Sequence, residues 1–236
     1  REILSSFDQL PVSAEYVGKD TFRFTELYGR DTIYLVRAIG TDRLPKMFKA
    51  KETLASRLDA VPFLSGSLIE HALQRLGQLL PNPVPKKIRQ ISGRCHHLLI
   101  LKMKEDSIQS TADYLSGKAA IGELEVHNCS EREAEIVGLH RFAVAGAAMR
   151  YKAIREAKVG ELLALDIALP RNTKQWHENL PDELDEQIER KLYYGHFMCQ
   201  VFHQDYILKS GTDALAIKAK MLDGLEARGA KYPAEH

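Results

Sequence analysis

The chain has 236 residues, of which 44% are hydrophobic and 28% are charged, and its formal net charge is +1. This composition excludes a disordered chain, and the length suits one large domain or two small ones. The longest stretch without an acidic or basic side chain covers thirteen residues, from Leu192 to Gln204. Because a membrane-spanning helix needs about 20 mostly apolar residues, the sequence predicts no transmembrane helix.

The cysteines and the first residues further limit the class of protein to which the chain can belong. Cys95, Cys129 and Cys199 lie far apart, with no Cys-x-x-Cys pair. This spacing excludes a disulfide framework or a cysteine-based zinc site. It is typical of a protein that resides in a reducing compartment. The chain starts at Arg1 without a Met, so we expect it to be part of a longer protein.

The charges are unevenly distributed along the chain. Residues 43–104 contain twelve Lys or Arg and three acids, which gives this window a charge of +9. The remaining residues contain twenty-one bases and twenty-nine acids, a charge of −8. A near-neutral chain with one strongly basic quarter predicts a surface that meets an anionic partner.

The first half of the chain predicts short elements and one amphipathic helix. Apolar residues from Leu68 to Leu80 recur at i, i+3, i+4 spacing, which is typical of an amphipathic helix. Pro81 and the two prolines after it must end that helix, because proline removes a backbone donor. The other predicted elements are an extended segment over Pro11–Val17, a helical turn over Thr21–Tyr28, and strands over Thr32–Ile39 and His96–Met103.

The second half alternates between strands and helices. Ser130 and Glu133 have capping-box spacing at the start of a helix, and Asp213 and Gly229 bracket another one. The predicted strands are Ala120–Cys129, Glu161–Leu169 and Tyr193–Leu208, and the predicted helices run from 130 to 148, from 181 to 192 and from 213 to 228. This order predicts an α+β fold, with antiparallel sheet and helices packed on one face.

The basic quarter interleaves cations with large apolar side chains such as Met47, Phe48 and Leu54. An amphipathic element of this kind can lie in a bilayer interface, where each base near an anionic surface contributes about 1 kcal/mol. The alternatives are a solvated charged face over an ordinary core helix, and nucleic-acid binding, which no motif supports. The candidate membrane-binding residues are Lys46, Lys49, Lys51, Arg57, Arg75, Lys86, Lys87, Arg89 and Arg94.

A few polar residues are candidates for chemistry. His196 and His203 could bind a divalent metal together with a carboxylate such as Glu235. Seven residues of regular strand span about 23 Å, so only a bulge or tight turn would bring both imidazoles together. Arg141 or Arg150 could hold a carboxylate, and a histidine such as His236 can act as a general base. The sequence has no glycine-rich phosphate loop, GxSxG or HExxH motif.

Several long strings resemble the C-terminal part of the bacterial respiratory D-lactate dehydrogenases. They are Leu192-Tyr-Tyr-Gly-His-Phe-Met-Cys199, Val201-Phe-His-Gln-Asp-Tyr-Ile207, Arg228-Gly-Ala-Lys-Tyr-Pro-Ala-Glu-His236, His140-Arg-Phe-Ala-Val-Ala-Gly-Ala-Ala148 and Leu163-Ala-Leu-Asp-Ile-Ala-Leu169. The resemblance implies a ferredoxin-like cap domain formed by residues 1–42 and 95–236. Residues 43–94 would be an inserted basic membrane-binding segment, and an FAD-binding domain would precede residue 1.

The resemblance also implies an activity and a location. These flavoproteins oxidise D-lactate to pyruvate through FAD and pass electrons to quinone. They lie peripherally on the cytoplasmic face of the inner membrane, against anionic phospholipid and not nucleic acid. The alternative is a non-catalytic membrane-surface or scaffold module with the same fold.

Broader relatives, the D-2-hydroxyacid dehydrogenases, supply candidate roles for individual residues. The resemblance implies that His196, His203 and Glu235 match their metal ligands, that His236 matches their catalytic base, and that Arg141 matches their substrate-carboxylate arginine. The chain differs from these relatives in two places: no glycine lies between Phe197 and Phe202, and Ala164 replaces a substrate-binding lysine.

Overall fold

A computed structural model describes residues 2–43, 46, 49–50, 53, 56–57, 66–171, 173–177 and 180–234. The strands are β1 (Ser13–Gly18), β2 (His97–Lys102), β3 (Val159–Ala168), β4 (Ile188–His196) and β5 (Val201–Lys209). The helices are α1 (Glu2–Ser5), α2 (Lys19–Tyr28), α3 (Arg30–Ile39), α4 (Gly66–Leu79), α5 (Lys86–Arg94), α6 (Ile108–Ala120), α7 (Glu131–Ile154), α8 (Asp182–Asp185) and α9 (Ala214–Ala227).

The five strands form one open sheet in the order β2-β1-β4-β5-β3. Every neighbouring pair is antiparallel. An antiparallel sheet with packed helices confirms the predicted α+β class. The central hairpin of β4 and β5 aligns Tyr194 with His203 and His196 with Val201.

Helices cover both faces of this sheet. Helix α7 lies against β3 and β5, and α2, α3 and α4 pack on α7. On the opposite face, α9 packs its Met221 against strand residues such as Tyr206 and Leu208. Ile207, between those two, is buried on the α7 side. The prediction of helices on one face is therefore correct only for the larger layer, because β5 buries alternate residues on both sides.

Three sequence predictions are confirmed. Helix α4 follows the leucine pattern, and α7 starts with the predicted capping box, in which Ser130 and Glu133 bond each other's backbone. Asp213 caps α9 by accepting bonds from two backbone N–H groups. Each confirmed helix has a local start or stop signal in the sequence, and such signals do not depend on distant contacts.

Three other predictions are wrong. Residues Thr32–Ile39 lie in helix α3 and not in a strand, and they bury Ile33 and Val36. The strand predicted over Ala120–Cys129 is absent: α6 continues to Ala120, and residues 121–129 are turn and irregular chain. The helix predicted to end near Leu192 stops at Asp185, and β4 follows it. In the last case, pairing of β4 with both β1 and β5 overrides the local helical preference.

Candidate functional site

A cleft of about 510 Å³ opens on the α7 side of the sheet. Its apolar wall comes from α7, at Phe142 and Ala145, and from Leu192 of β4. Its polar side chains come from α7 and from three strands, and they are Arg141, Asp166, Tyr194, His196, His203 and Asp205. This volume falls within the usual range for small-molecule sites.

The two candidate metal-binding histidines meet in this cleft. A four-residue turn, 197–200, joins β4 to β5, so His196 and His203 lie diagonally on the same face of the hairpin. Their ring centroids are 5.5 Å apart and their planes are nearly perpendicular. The turn forms without glycine because Gln200 adopts a left-handed φ of 61°. The tight turn that the histidine pair requires is therefore present.

Carboxylates lie beside both imidazoles. The Nδ1 atom of His203 is 2.6 Å from Oδ1 of Asp166, and Nδ1 of His196 is 3.9 Å from Oε1 of Glu15. Asp205 is two residues from His203 on the same strand face. Burial raises the pKa of Asp205 to about 6, and the charge of Asp166 adds to this rise. These carboxylates make the cleft negative around its histidines.

Arg141 reaches the same cleft from α7. Its Nη1 donates a hydrogen bond of 3.0 Å to Oε1 of Glu15, whose other oxygen accepts a bond from the Tyr194 hydroxyl. Burial raises the pKa of Glu15, and the guanidinium of Arg141 opposes that rise. Because the Arg141 side chain is still 39% exposed, its remaining donors can reach a ligand.

The second candidate arginine, Arg150, has a different environment. Its side chain is buried and bonds Asp31, Glu70 and the backbone carbonyl of Tyr28. Glu70 belongs to α4 and Asp31 to α3, so this guanidinium ties both helices to α7. Arg150 is thus absent from the cleft, and its contacts attach α4 to the domain.

The polar groups partly fit a divalent metal. Imidazole nitrogens are common metal ligands, and the carboxylates beside His196 and His203 are what ligating histidines usually bond. Within the described part of the chain, however, no group of three His, Cys, Asp or Glu residues is arranged to hold a metal ion. Glu235 and His236, predicted as third ligand and base, lie outside the described residues. The last described residue, Ala234, donates its N–H to the carbonyl of Asp166 at 2.8 Å.

Helix α4 leaves three of its leucines exposed, whereas Leu73 is partly buried. Leu68, Leu76 and Leu79 are 48%, 59% and 81% exposed. The side packed on the domain instead carries Gln74, whose amide bonds the carbonyl of Leu27 at 3.1 Å. An amphipathic helix normally buries its apolar stripe, so three exposed leucines on one helix form an unusual apolar surface.

Exposed cations occur on α4 and on the segments that flank it in the sequence. Arg75 lies on α4 and is exposed. Arg94 is exposed but pairs with Glu125 at 2.6 Å, which makes it less available to an anion. The other exposed members of the predicted set are Lys46, Lys49, Arg57, Lys86, Lys87 and Arg89, whereas Lys51 lies outside the described residues. Among the helices that the structure describes, none is long and apolar enough to span a membrane.

Sequence reasoning missed two carboxylates that line the cleft, Asp166 and Asp205, and a third beside it, Glu15. Glu15 lies between Ala14 and Tyr16 in a buried strand, and Asp166 is the one charged residue between Leu162 and Leu169. Asp205 ends the longest uncharged stretch of the chain. In each case an acid within an apolar strand was the available signal, since acids are rarely buried without a partner.

These features define an α+β domain that combines a polar cleft with a helix, α4, that exposes three leucines within a basic stretch of the chain. Comparison with known proteins identifies its family. Residues 1–236 match the family described as D-lactate dehydrogenase, membrane binding, and the chain belongs to that family.

Three longer proteins are similar to the chain over nearly its whole length. The chain is 43% identical over 236 residues to the quinone-dependent D-lactate dehydrogenase of Escherichia coli. The match covers 100% of this chain and 41% of that relative. The chain is 42% identical to the Haemophilus influenzae enzyme of the same name over 237 residues, 42% of that relative. The Corynebacterium glutamicum enzyme is 35% identical over 231 residues, which are 96% of this chain and 40% of that relative. The chain thus spans about two fifths of the length of the curated relatives it matches.

Proposed function

We propose that the chain is the cap and membrane-binding part of a peripheral flavoenzyme that oxidises D-lactate to pyruvate and passes electrons through FAD to quinone. The observation that carries this proposal is the match of all 236 residues to the membrane-binding D-lactate dehydrogenase family. In the proposed division, residues 1–42 and 95–236 form the cap, residues 43–94 bind the membrane, and an FAD-binding domain precedes them. The location would be the cytoplasmic face of the inner membrane.

Arg141 would bind the carboxylate of D-lactate. Its planar guanidinium matches a carboxylate with two parallel donors, and a charge-assisted pair of this kind is stronger than a neutral hydrogen bond. The bond from Nη1 to Glu15 holds the guanidinium at the cleft, and Tyr194 holds Glu15. Preorganised in this way, the arginine loses less conformational entropy when the substrate binds.

The remaining roles involve the end of the chain and two bound groups. His236 would accept the hydroxyl proton of lactate, and FAD, held mainly by the other domain, supplies the hydride acceptor when bound. His196, His203 and Glu235 would hold a divalent cation, which when bound would offset the negative charge of Asp166 and its neighbours. The support from the described residues is that Ala234, directly before Glu235, bonds the backbone of Asp166.

The basic segment would attach the protein to anionic phospholipid. Leu76 and Leu79 would enter the interfacial region while Arg75 and the lysines of the segment meet phosphate groups. The support is the exposure of three α4 leucines and of the cations in the same segment of the chain. The cations and the leucines would contribute differently, because electrostatic attraction weakens with salt whereas apolar insertion does not.

The catalytic part of the proposal is tested with the full-length protein. We expect it to reduce a soluble quinone analogue with D-lactate much faster than with L-lactate. We expect the isolated 236-residue chain to be inactive with added FAD. Lactate oxidation by the isolated chain would refute the division between the two domains.

The membrane part is tested by cosedimentation with vesicles. We expect the full-length protein to bind phosphatidylglycerol vesicles at low salt, to bind phosphatidylcholine vesicles weakly, and to be partly released by added salt. Equal binding to both lipids would contradict the role of the cations. Vesicle binding without lactate oxidation would favour the alternative, a non-catalytic membrane-surface or scaffold module.

A further inference from the structure

We propose that a second cavity, on the α9 side of the sheet, binds a small uncharged apolar molecule that carries a carbonyl oxygen. This cavity lies on the opposite side of the sheet from the cleft, because Gln204 lines it whereas the neighbouring His203 and Asp205 line the cleft. The proposed reaction with lactate does not use it. The site is therefore independent of lactate oxidation and of membrane binding.

The walls of this cavity are apolar. It is lined by Leu165 of β3, Leu184 of α8, and Met221 and Leu225 of α9. All four side chains are buried and belong to the largest apolar core. The cavity volume is about 300 Å³, at the lower end of the usual range for small-molecule sites. Such sites combine apolar walls with a small number of polar groups that fix the orientation of the ligand.

Gln204 supplies a buried polar group to this cavity from β5. It is 4% exposed and is the direct cross-strand partner of Leu165. Its Oε1 atom accepts a hydrogen bond of 3.0 Å from the hydroxyl of Tyr206. That bond is the one that the Gln204 side chain makes to a described residue, so both hydrogens of Nε2 remain available. A buried donor without an acceptor is costly, so the cavity favours a ligand with an acceptor atom.

The charged side chains at the cavity are already engaged and are not buried in it. Lys220 lies beside Glu183, with 3.8 Å between Nζ and Oε2. Arg228 uses Nη2 to bond the backbone carbonyls of Gln175 and His177. A charged ligand would lose its hydration here without gaining a buried partner of opposite charge. An uncharged ligand avoids that cost.

These features together define the chemical class of the ligand. The amide nitrogen of Gln204 only donates hydrogen bonds, and a carbonyl oxygen accepts them without carrying a charge. The carbon atoms of the ligand would contact the leucines and Met221, whose flexible thioether adapts to different shapes. Acetophenone has both parts and is the probe. Ethylbenzene has the same ring without the carbonyl and is the matched control compound.

The test measures the affinity of both compounds for the full-length protein by saturation-transfer NMR. Gln204→Met replaces the amide by an apolar side chain of similar length. Gly224→Leu reduces the cavity, because Gly224 lines it and a Cβ atom at this position meets no atom within 4 Å. The matched control variant is Gly138→Leu on α7, where a Cβ atom also meets no atom within 4 Å.

The two variants should differ in which compound they affect. In Gln204→Met, the ratio of acetophenone affinity to ethylbenzene affinity should fall about fivefold, the usual effect of losing one hydrogen bond. Gly224→Leu should weaken the binding of both compounds, because its side chain takes up the space that they need. Gly138→Leu should change neither affinity.

Four results would overturn the proposal: no acetophenone binding by the wild type, an unchanged affinity ratio in Gln204→Met, unchanged binding in Gly224→Leu, or an equal loss in Gly138→Leu. Gly224→Leu keeps the bond between Tyr206 and Gln204, so it tests the cavity even if the Met variant does not fold. None of these results decides the proposed function, because D-lactate oxidation by the wild-type enzyme is measured separately.

Discussion

The two sides of the sheet differ in what they hold. On β5, Phe202 and Tyr206 face α9 within the largest apolar core, whereas His203 and Asp205 face the cleft on the α7 side. Because side chains alternate along a strand, the same nine residues contribute to both sides. The difference teaches that substitutions on one side of the sheet can alter stability while those on the other side alter ligand binding, and four substitutions test this separation.

The largest expected effect is on the apolar side. Phe202→Ala should lower the free energy of unfolding by about 3–5 kcal/mol, because it leaves a cavity in a packed core. The ring stacks on Trp176, the one tryptophan of the chain, with centroids 5.7 Å apart. Chemical unfolding followed by tryptophan fluorescence measures the change. Met198→Ala, at an exposed turn position, is the control and should change stability little; a similar small change for Phe202→Ala would contradict the prediction.

The next effect depends on pH and comes from His140 in the α7 layer. Burial lowers the pKa of this imidazole from 6.5 to about 3, and its Nε2 has no hydrogen-bond partner among the described residues. Below pH 6.5 the unfolded chain therefore binds a proton that the folded chain does not, so stability falls as pH falls toward 3. The contribution is about 1.4 kcal/mol per pH unit in this window.

The variant His140→Gln isolates this contribution. Its unfolding free energy should fall less than that of the wild type between pH 6.5 and 4.5, by about 2–3 kcal/mol. The measurement is chemical unfolding at several pH values, with His71→Gln, an exposed histidine of α4, as the control. Parallel pH curves for the wild type and His140→Gln would show that His140 is protonated in the folded chain.

The third effect belongs to the cleft. Arg141→Ala in the full-length enzyme should raise the KM for D-lactate about 10- to 100-fold, because a hydrogen bond to a charged group contributes about 1.5–3 kcal/mol. Arg132→Ala, an exposed arginine of the same helix, is the control. Steady-state kinetics give both values. An unchanged KM would remove Arg141 from the substrate site.

The smallest effect concerns the outer layer of the α7 side. Leu79→Gln should weaken binding to phosphatidylglycerol vesicles about tenfold, since burial of a leucine side chain contributes at least about 1.5 kcal/mol. The matched control is Leu215→Gln, because Leu215 is also 81% exposed but lies on α9. Equal loss in both variants, measured by cosedimentation, would show that α4 is not the inserted element.

The site could be predicted from sequence only in part. The resemblance named His196, His203 and Arg141, and the structure brings these three together. It could not name Glu15, because Glu15 and Arg141 are 126 positions apart in the sequence and meet only when α7 folds onto the sheet. Pairings of this kind depend on register, which a single sequence does not specify.

Prediction of the fold from the sequence was limited in the same way. Helices with local caps, such as α7, were predictable, whereas the β-branched and aromatic segment Thr32–Ile39 was assigned to a strand. Its Ile33 and Val36 are three residues apart and both lie buried in α3. Contact of this helix with α7 outweighs a weak local preference for extended chain.

The short bridge between Ala168 and Lys231 has a consequence for self-association. Strand β3 is the last strand of the sheet, and an uncovered edge strand can pair with a second molecule. Backbone bonds from Lys231 to Ala168 and from Ala234 to Asp166 occupy part of that edge. The segment from Lys231 to Ala234 thus shields part of the outermost strand of the sheet from pairing with a second molecule.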